Sequence, residues 1–217
     1  MVIPARNEAS RIALTVLAAL RLPRVGPVIV VDDASTDSTV RVAEEAGARV
    51  LRQPTRLGRA AAQQRGAAEV LALAGSGPSC LLLLDADLGE SAARAADLVQ
   101  PVLEGRAGLA IGTTGADGAR AATRRARAGI RRATGVTVSH PLSGELCLSA
   151  AAFAAATDSV HSGPGLIIDL LRQGFQVVEV PLALGHRPSR RGLRAGLREL
   201  RRCRVVAREI AARRNSH

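Results

Sequence analysis

An α/β fold with a mostly parallel central sheet flanked by helices is predicted by three features of the sequence. Four consecutive leucines at 81–84 follow the breaker cluster Gly75-Ser76-Gly77-Pro78 and end in Asp85-Ala86-Asp87, the pattern of a strand buried on both faces. A second apolar run, Val28-Ile29-Val30-Val31, also ends in acid, at Asp32-Asp33. Between and after these runs lie stretches with helical spacing, and strands alternating with helices make parallel βαβ units.

In chain order, Val2 and Ile3 form a short first strand that runs into the polar loop Pro4-Ala5-Arg6-Asn7-Glu8. Ser10 is the expected cap of a helix over about 11–21 with Ile12, Val16 and Leu20 on one face. After the second strand, the Ser/Thr/Asp run at 35–39 opens a helix that ends at Gly47, and residues 49–52 read as a third strand. Gly58 turns the chain into an alanine-rich helix reaching about Leu73. The leucine strand is followed by a helix from Ser91 to about 104 and by a strand at 109–111. In such sheets ligands bind beyond the carboxyl ends of the strands. Asp85 and Asp87, at alternate positions there, can both reach a hard divalent cation. An acid at the end of the second strand suits a ribose hydroxyl or base edge. Arg59 at a helix start opposes the macrodipole unless an anion lies nearby.

A chain of 217 residues buries about 70% of its unfolded surface without staples. Three separated cysteines indicate neither a zinc site nor a disulfide framework. No apolar stretch of spanning length and no secretory pattern is read, so a cytoplasmic location is expected. The net charge of +11 is carried by arginine, because the sequence has no lysine. Guanidinium forks suit phosphorylated ligands or anionic lipid; the alternative is that arginine and alanine abundance reflects a GC-rich genome, with solvated helix faces in place of a designed patch. Nucleic acid is disfavoured as a partner, with two Phe, no Trp and no Tyr to stack on bases.

Four segments together carry a family resemblance: Ile3-Pro4-Ala5-Arg6-Asn7-Glu8, then Val31-Asp32-Asp33-Ala34-Ser35-Thr36-Asp37, then Gly58-Arg59-Ala60, then Asp85-Ala86-Asp87. In order and spacing they resemble the family 2 glycosyltransferases of GT-A fold, including members similar to glucosyl-3-phosphoglycerate synthases and dolichol-phosphate mannosyltransferases. The resemblance implies transfer of a sugar from a UDP- or GDP-sugar donor with Mg²⁺ or Mn²⁺. Pro4, Ala5 and Glu8 would line the nucleoside pocket, Asp33 would meet the base or ribose, and Arg59 would lie near base or diphosphate. Asp85 and Asp87 match the D-x-D pair, with Asp87 the direct metal ligand, and His186 is the candidate third ligand. Arg187 would clamp the diphosphate.

The later chain resembles the family more loosely. Pro141-Leu142-Ser143-Gly144-Glu145 looks like the acceptor-side loop, and 174–181 like the late strand. Relatives carry a Gly-x-Gly-x-Glu where this chain has Gly163-Pro164-Gly165-Leu166-Ile167, so the expected Glu is missing and Asp169 is displaced along the helix. Either Glu145 or Asp169 serves as general base, or the reaction is retaining and needs none from that loop, or activity is impaired. The transferase unit is expected at 1–190, followed by a basic amphipathic helix and tail at 191–217. The apolar stripe of that helix, Leu193, Leu197, Leu200, Ala207 and Ile210, would lie on an anionic membrane or pack on the domain. The acceptor is left open among a phosphorylated small molecule, a lipid phosphate and a glycan; a homodimer is compatible with this reading. A non-catalytic nucleotide-sugar or phosphate-binding member is the alternative.

Overall fold

The leucine run forms the central strand of a seven-stranded sheet of order β3-β2-β1-β4-β6-β5-β7. The computed structural model describes residues 1–23, 26–73, 79–113, 120–156, 163–185 and 193–213. The strands are β1 (Val2–Ala5), β2 (Ile29–Asp33), β3 (Arg49–Gln53), β4 (Cys80–Leu83), β5 (Leu109–Thr113), β6 (Leu146–Ser149) and β7 (Val177–Pro181). Leu81, Leu83 and Leu84 are fully buried and Leu82 nearly so. Alternate residues of these strands feed opposite layers: Ile3, Val30, Leu82 and Leu84 pack on one side, Val2, Val31, Leu81 and Leu83 on the other. This two-sided burial is what continuous apolar runs require of a parallel sheet.

One strand runs against the rest. β6 pairs antiparallel with both β4 and β5, and periodicity does not expose it, because Leu146-Cys147-Leu148-Ser149 is short and follows a loop of mixed polarity. Its direction matters for the site. An antiparallel neighbour begins where β4 ends, so the loop before β6 arrives beside the carboxylates at the end of β4.

The helices are α1 (Ile12–Leu20), α2 (Thr39–Glu45), α3 (Arg59–Leu73), α4 (Ala96–Leu103), α5 (Ala121–Thr134), α6 (Ala150–Ala155), α7 (Pro164–Arg172) and α8 (Leu193–Ala212), with a 3₁₀ segment at Gly89–Ala95. Two starts differ from expectation. α1 begins after Arg11 with no side-chain cap, so Ser10 does not cap it. Ser91 lies inside the 3₁₀ segment and its hydroxyl donates to Leu88 O at 2.7 Å. No described helix is long and apolar enough to cross a membrane.

α8 packs on α5 and α7. The seam is made by Cys203, Val206 and Ile210 against Ala122, Ala126 and Leu142, while Leu200, expected in the apolar stripe, is 60% exposed. Ile210 of the expected stripe lies in this seam, joined by Cys203 and Val206, while the side chains of Leu193 and Leu197 lie outside the described residues. Polar clamps fix the ends of this seam: the Glu199 carboxylate accepts from the Ala122 amide at 2.9 Å, and the Glu209 carboxylate from the Gly165 amide at 3.1 Å. Each supplies an acceptor to an open helix N-terminus.

Candidate active site

The loops after β1 and β2 are stitched into one surface. Asn7 donates its amide to the Ser35 hydroxyl at 3.0 Å and accepts from the Thr36 amide through Oδ1 at 2.8 Å. The Glu8 amide donates to the Thr39 hydroxyl at 2.8 Å. Asn7 and Ala34 both take positive φ, 55° and 56°, a conformation that costs non-glycine residues free energy and is found where surrounding bonds enforce it. Hence Ser35, Thr36 and Thr39 do more than open α2; they bind the first loop to the second. These bonds fix the end of β1 and the loop after it, which carry Pro4, Ala5 and Glu8.

Asp32 and Asp33 point to different tasks because neighbours on a strand face opposite sides. The Asp33 carboxylate accepts from the amides of Leu57 at 2.7 Å and Gly58 at 3.0 Å. This clasp holds the turn before α3, where Gly58 takes φ +93°. Asp32 stands level with Ala5 across the β1–β2 ladder. Its Oδ2 accepts from the Ser35 amide at 3.2 Å, and its Oδ1 is buried without a hydrogen-bond partner among the described residues. A buried orphan carboxylate oxygen is costly unless a ligand donor meets it. Asp32 is therefore a site candidate that the sequence reading passed over in favour of Asp33; only the side alternation distinguished them.

Beyond β4, Asp85 is ion-paired with Arg59, the first residue of α3. Both carboxylates of Asp85-Ala86-Asp87 are half-buried, with Ala86 between them in the core. Leu83 pairs with Leu146, so continuing the antiparallel register brings Gly144 opposite Asp85. A Cβ on Gly144 would strike the Asp85 carboxylate and lie 2.6 Å from Arg59 Nη2. Glycine is needed here for close approach. Next to it, Glu145 is 2% exposed, its Oε2 accepts from the Ser143 hydroxyl at 3.0 Å, and its carbonyl accepts from the Gly112 amide at 2.9 Å. Loss of water around the guanidinium pulls Arg59 below the usual arginine range; the charges of Glu145 and Asp87 oppose this, and that of Arg202 adds to it. Since 38% of the Arg59 side chain remains exposed, solvent softens these effects.

The loop before β6 is fixed from below by β7. Glu179 accepts from the amides of His140 at 2.6 Å and Ser139 at 3.0 Å, and Arg127 on α5 donates to Ser139 O at 2.7 Å. The segment after β7 is tied to the end of β4 by Arg11, whose Nη1 donates to Asp87 O at 2.8 Å and to Gly185 O at 2.7 Å. The Gly185 amide donates to the Ser91 hydroxyl at 2.9 Å. Arg11 was not singled out from sequence, where it reads as one of many surface arginines. His186 and Arg187 lie outside the described residues.

Asp169 is placed elsewhere. On α7 it is gripped by Arg213, the residue that follows α8, Nε donating to Oδ1 at 2.7 Å and to Oδ2 at 2.8 Å. Ile167, at the position of the family Glu, is 1% exposed in the core. Among the described residues no three His, Cys, Asp or Glu side chains gather as a metal cage. Asp85 and Asp87 nonetheless supply hard, half-buried carboxylates beyond the end of β4, and glycine at 144 leaves room for that of Asp85. That donor set fits Mg²⁺ or Mn²⁺ in preference to soft metals.

Comparison with solved structures finds the same architecture. The chain is similar to glucosyl-3-phosphoglycerate synthase from Mycobacterium tuberculosis in complex with Mn²⁺, UDP-glucose and glycerol 3-phosphate. The TM-score is 0.74 at 26% identity, covering 98% of this chain and 78% of that one. The same enzyme with Mn²⁺, UDP and glucosyl-3-phosphoglycerate matches with a TM-score of 0.74 and 27% identity over 98% of this chain and 78% of that one. With Mg²⁺ and UDP the values are 0.75 and 27%, over 98% and 77%. No curated protein sequence matches the chain. A family model described as glycosyl transferase family 2 matches residues 1–142. With the parallel sheet and the acidic end of β4 in place, the chain belongs to glycosyl transferase family 2 and is a glycosyltransferase of GT-A fold.

Proposed function

We propose that this glycosyltransferase moves a hexose from a UDP-sugar to a phosphorylated small-molecule acceptor. The observation that carries the proposal is the meeting of Asp85, Asp87, Arg59, Gly144 and Glu145 beyond the carboxyl end of β4. Support for the donor and acceptor classes comes from the UDP-glucose and glycerol 3-phosphate bound by the similar synthase.

Asp87 and Asp85 would hold Mg²⁺ or Mn²⁺, with His186 as a third ligand. The tie from Arg11 to the carbonyls of Asp87 and Gly185 supports that choice, since it fixes the residue preceding His186 beside Asp87. Bound there, the cation neutralises negative charge on the departing nucleoside diphosphate. Asp32, with its open Oδ1, would accept from the base or ribose, and Asp33 would act indirectly by clasping the turn that presents Arg59. Ala5 and Pro4 form the adjoining wall, with Glu8 at its rim. Arg59 would balance charge between Asp85 and the diphosphate, and Arg187 would add a second cation. Glu145, beside Arg59 and held by Ser143, is the acceptor-side carboxylate; Asp169, gripped by Arg213, is set aside from that role. With reacting groups so placed, orientation and electrostatics supply the catalysis.

Thermal unfolding with UDP or GDP, with and without Mn²⁺, tests the donor site. UDP with Mn²⁺ is expected to raise the midpoint, because a ligand at a hundred times its Kd adds about 2.7 kcal/mol. The rise should shrink when either is omitted. A protein unmoved by both nucleotides would refute the proposal. Product formation from UDP-glucose with 3-phosphoglycerate or glycerol 3-phosphate then tests the acceptor class.

A further inference from the structure

α5 and α8 lie side by side and run the same way: Glu199 meets the Ala122 amide near their starts, and Ile210 reaches Gly129 further on. Between them lies a groove of about 350 Å³, floored by Ala128, Gly129, Ala207 and Ile210 and bounded by Arg125 and Arg132. Small residues on both helices leave the space above the contact of Gly129 with Ile210 unfilled.

The charge around this groove is of one sign. α5 carries five arginines and no acid. α8 has two glutamates, and both are turned to backbone amides, Glu199 to Ala122 and Glu209 to Gly165. Arg125 and Arg132 are exposed and have no hydrogen bond or ion pair among the described residues, and the same holds for Arg204 and Arg208 on α8. Arg204 stands one turn before Ala207, and Arg208 one turn before Ala211, the two alanines that α8 gives to the groove. Arginine therefore borders it from both helices. Leu200, one turn before Arg204, is 60% exposed, and Val205 beside it is 54% exposed.

This mixture selects the partner. A second copy of the chain would set arginine against arginine. Nucleic acid would satisfy the arginines but leave Leu200 and Val205 against phosphates, and the groove offers no aromatic ring to a base. A bilayer containing anionic lipid supplies phosphates at the level of the arginines and hydrocarbon beneath them for the aliphatic side chains. Arg125 and Arg132 are separated by about 10 Å along the helix, so each meets its own headgroup.

We propose that the face formed by α5 and α8 docks on an anionic phospholipid bilayer, with headgroup phosphates on Arg125 and Arg132 and lipid carbons on the alanine floor between them. The contact is distinct from one made by the stripe of α8 alone, because Ile210 of that stripe is held in the seam with α5.

Co-sedimentation of the full chain with phosphatidylcholine vesicles, with and without phosphatidylglycerol, tests this, with binding to duplex DNA measured in parallel. The protein should bind only the vesicles that contain phosphatidylglycerol, and less as salt rises. Arg125→Gln with Arg132→Gln should weaken that binding roughly twenty-five-fold, about fivefold for each charge near an anionic surface. Leu200→Ser with Val205→Ser should weaken it about tenfold through lost apolar contact. All four side chains are exposed, so both variants should melt with the parent. Arg21→Gln with Arg94→Gln removes the same charge from exposed positions on the opposite layer of the sheet and should leave binding within about twofold. An equal loss in that control would reduce the effect to net charge and overturn the proposal. So would equal binding to vesicles without phosphatidylglycerol, or no binding to either kind. Tighter binding to DNA than to vesicles, lost with Arg125 and Arg132 and indifferent to the serines, would assign the face to nucleic acid instead.

Discussion

Asp87→Ala should lower the rate of sugar transfer by about a thousandfold or more, the several kcal/mol that charge neutralisation at the departing diphosphate supplies. The fold should survive, because the side chain is half-buried at a strand end while Ala86 and Leu88 on either side carry the packing. Two readouts separate this from simple instability. The Mn²⁺-dependent part of the stabilisation by UDP should vanish, and the melting temperature without ligand should change little, since the side chain is half-buried beyond the end of β4. Retention of full activity would show that Asp85 and the later residues suffice without Asp87. Loss of the fold would show that its backbone carbonyl, bound by Arg11, depends on the side chain.

Much of this site was legible in the sequence because parallel sheets reveal themselves locally. A buried parallel strand is a continuous apolar run, and the residues that bind are those that interrupt it at its carboxyl end. The leucine strand with Asp85 and Asp87 could be placed from that rule alone, and so could the acidic end of β2. The choice between Asp32 and Asp33 was not available in the same way. Both follow the run, and only their opposite directions show that Asp33 holds the turn before α3 while Asp32 keeps an open oxygen in the core.

What escaped the sequence depends on contacts between distant segments. β6 is too short to declare itself, and nothing local says that it runs antiparallel between β4 and β5. Its direction is what brings Gly144 and Glu145 to Asp85. Arg11 was hidden for a different reason. In a chain whose basic residues are all arginine, composition cannot separate an arginine that ties two loops from one on a solvated face. α8 shows the same limit: leucine spacing predicted a stripe that includes Ile210, and packing against α5 adds Cys203 and Val206 to the seam while leaving Leu200 exposed.

Gly144→Ala should cost transfer activity about a hundredfold while changing stability little. The added methyl would meet the Asp85 carboxylate and approach Arg59 Nη2 and Asp85 Cγ at 2.6 Å. These are side-chain ends at a partly open site, so they can swing away, and the strain is relieved by moving the very groups that need alignment. A displacement near 1 Å in a reacting constellation can cost roughly a hundredfold in rate. Gly66→Ala adds the same methyl with the opposite consequence. On α3 it would strike Val2, with Val2 Cγ2 at 2.9 Å and Val31 Cγ2 at 3.0 Å. Both valines are fully buried in the sheet. There the helix must lift from β1 and β2, an overpacking cost of about 1–3 kcal/mol against which the better helix propensity of alanine returns about 1 kcal/mol. A fall of a few degrees in melting temperature is expected for a domain of this size, about 2–4 °C per kcal/mol, with transfer by the folded fraction nearly preserved. Thermal melts and kcat measured on both variants decide the matter. If Gly144→Ala keeps its rate, or loses stability as Gly66→Ala does, the loop before β6 is part of the scaffold and the contact between Gly144 and Asp85 does not set the geometry of transfer.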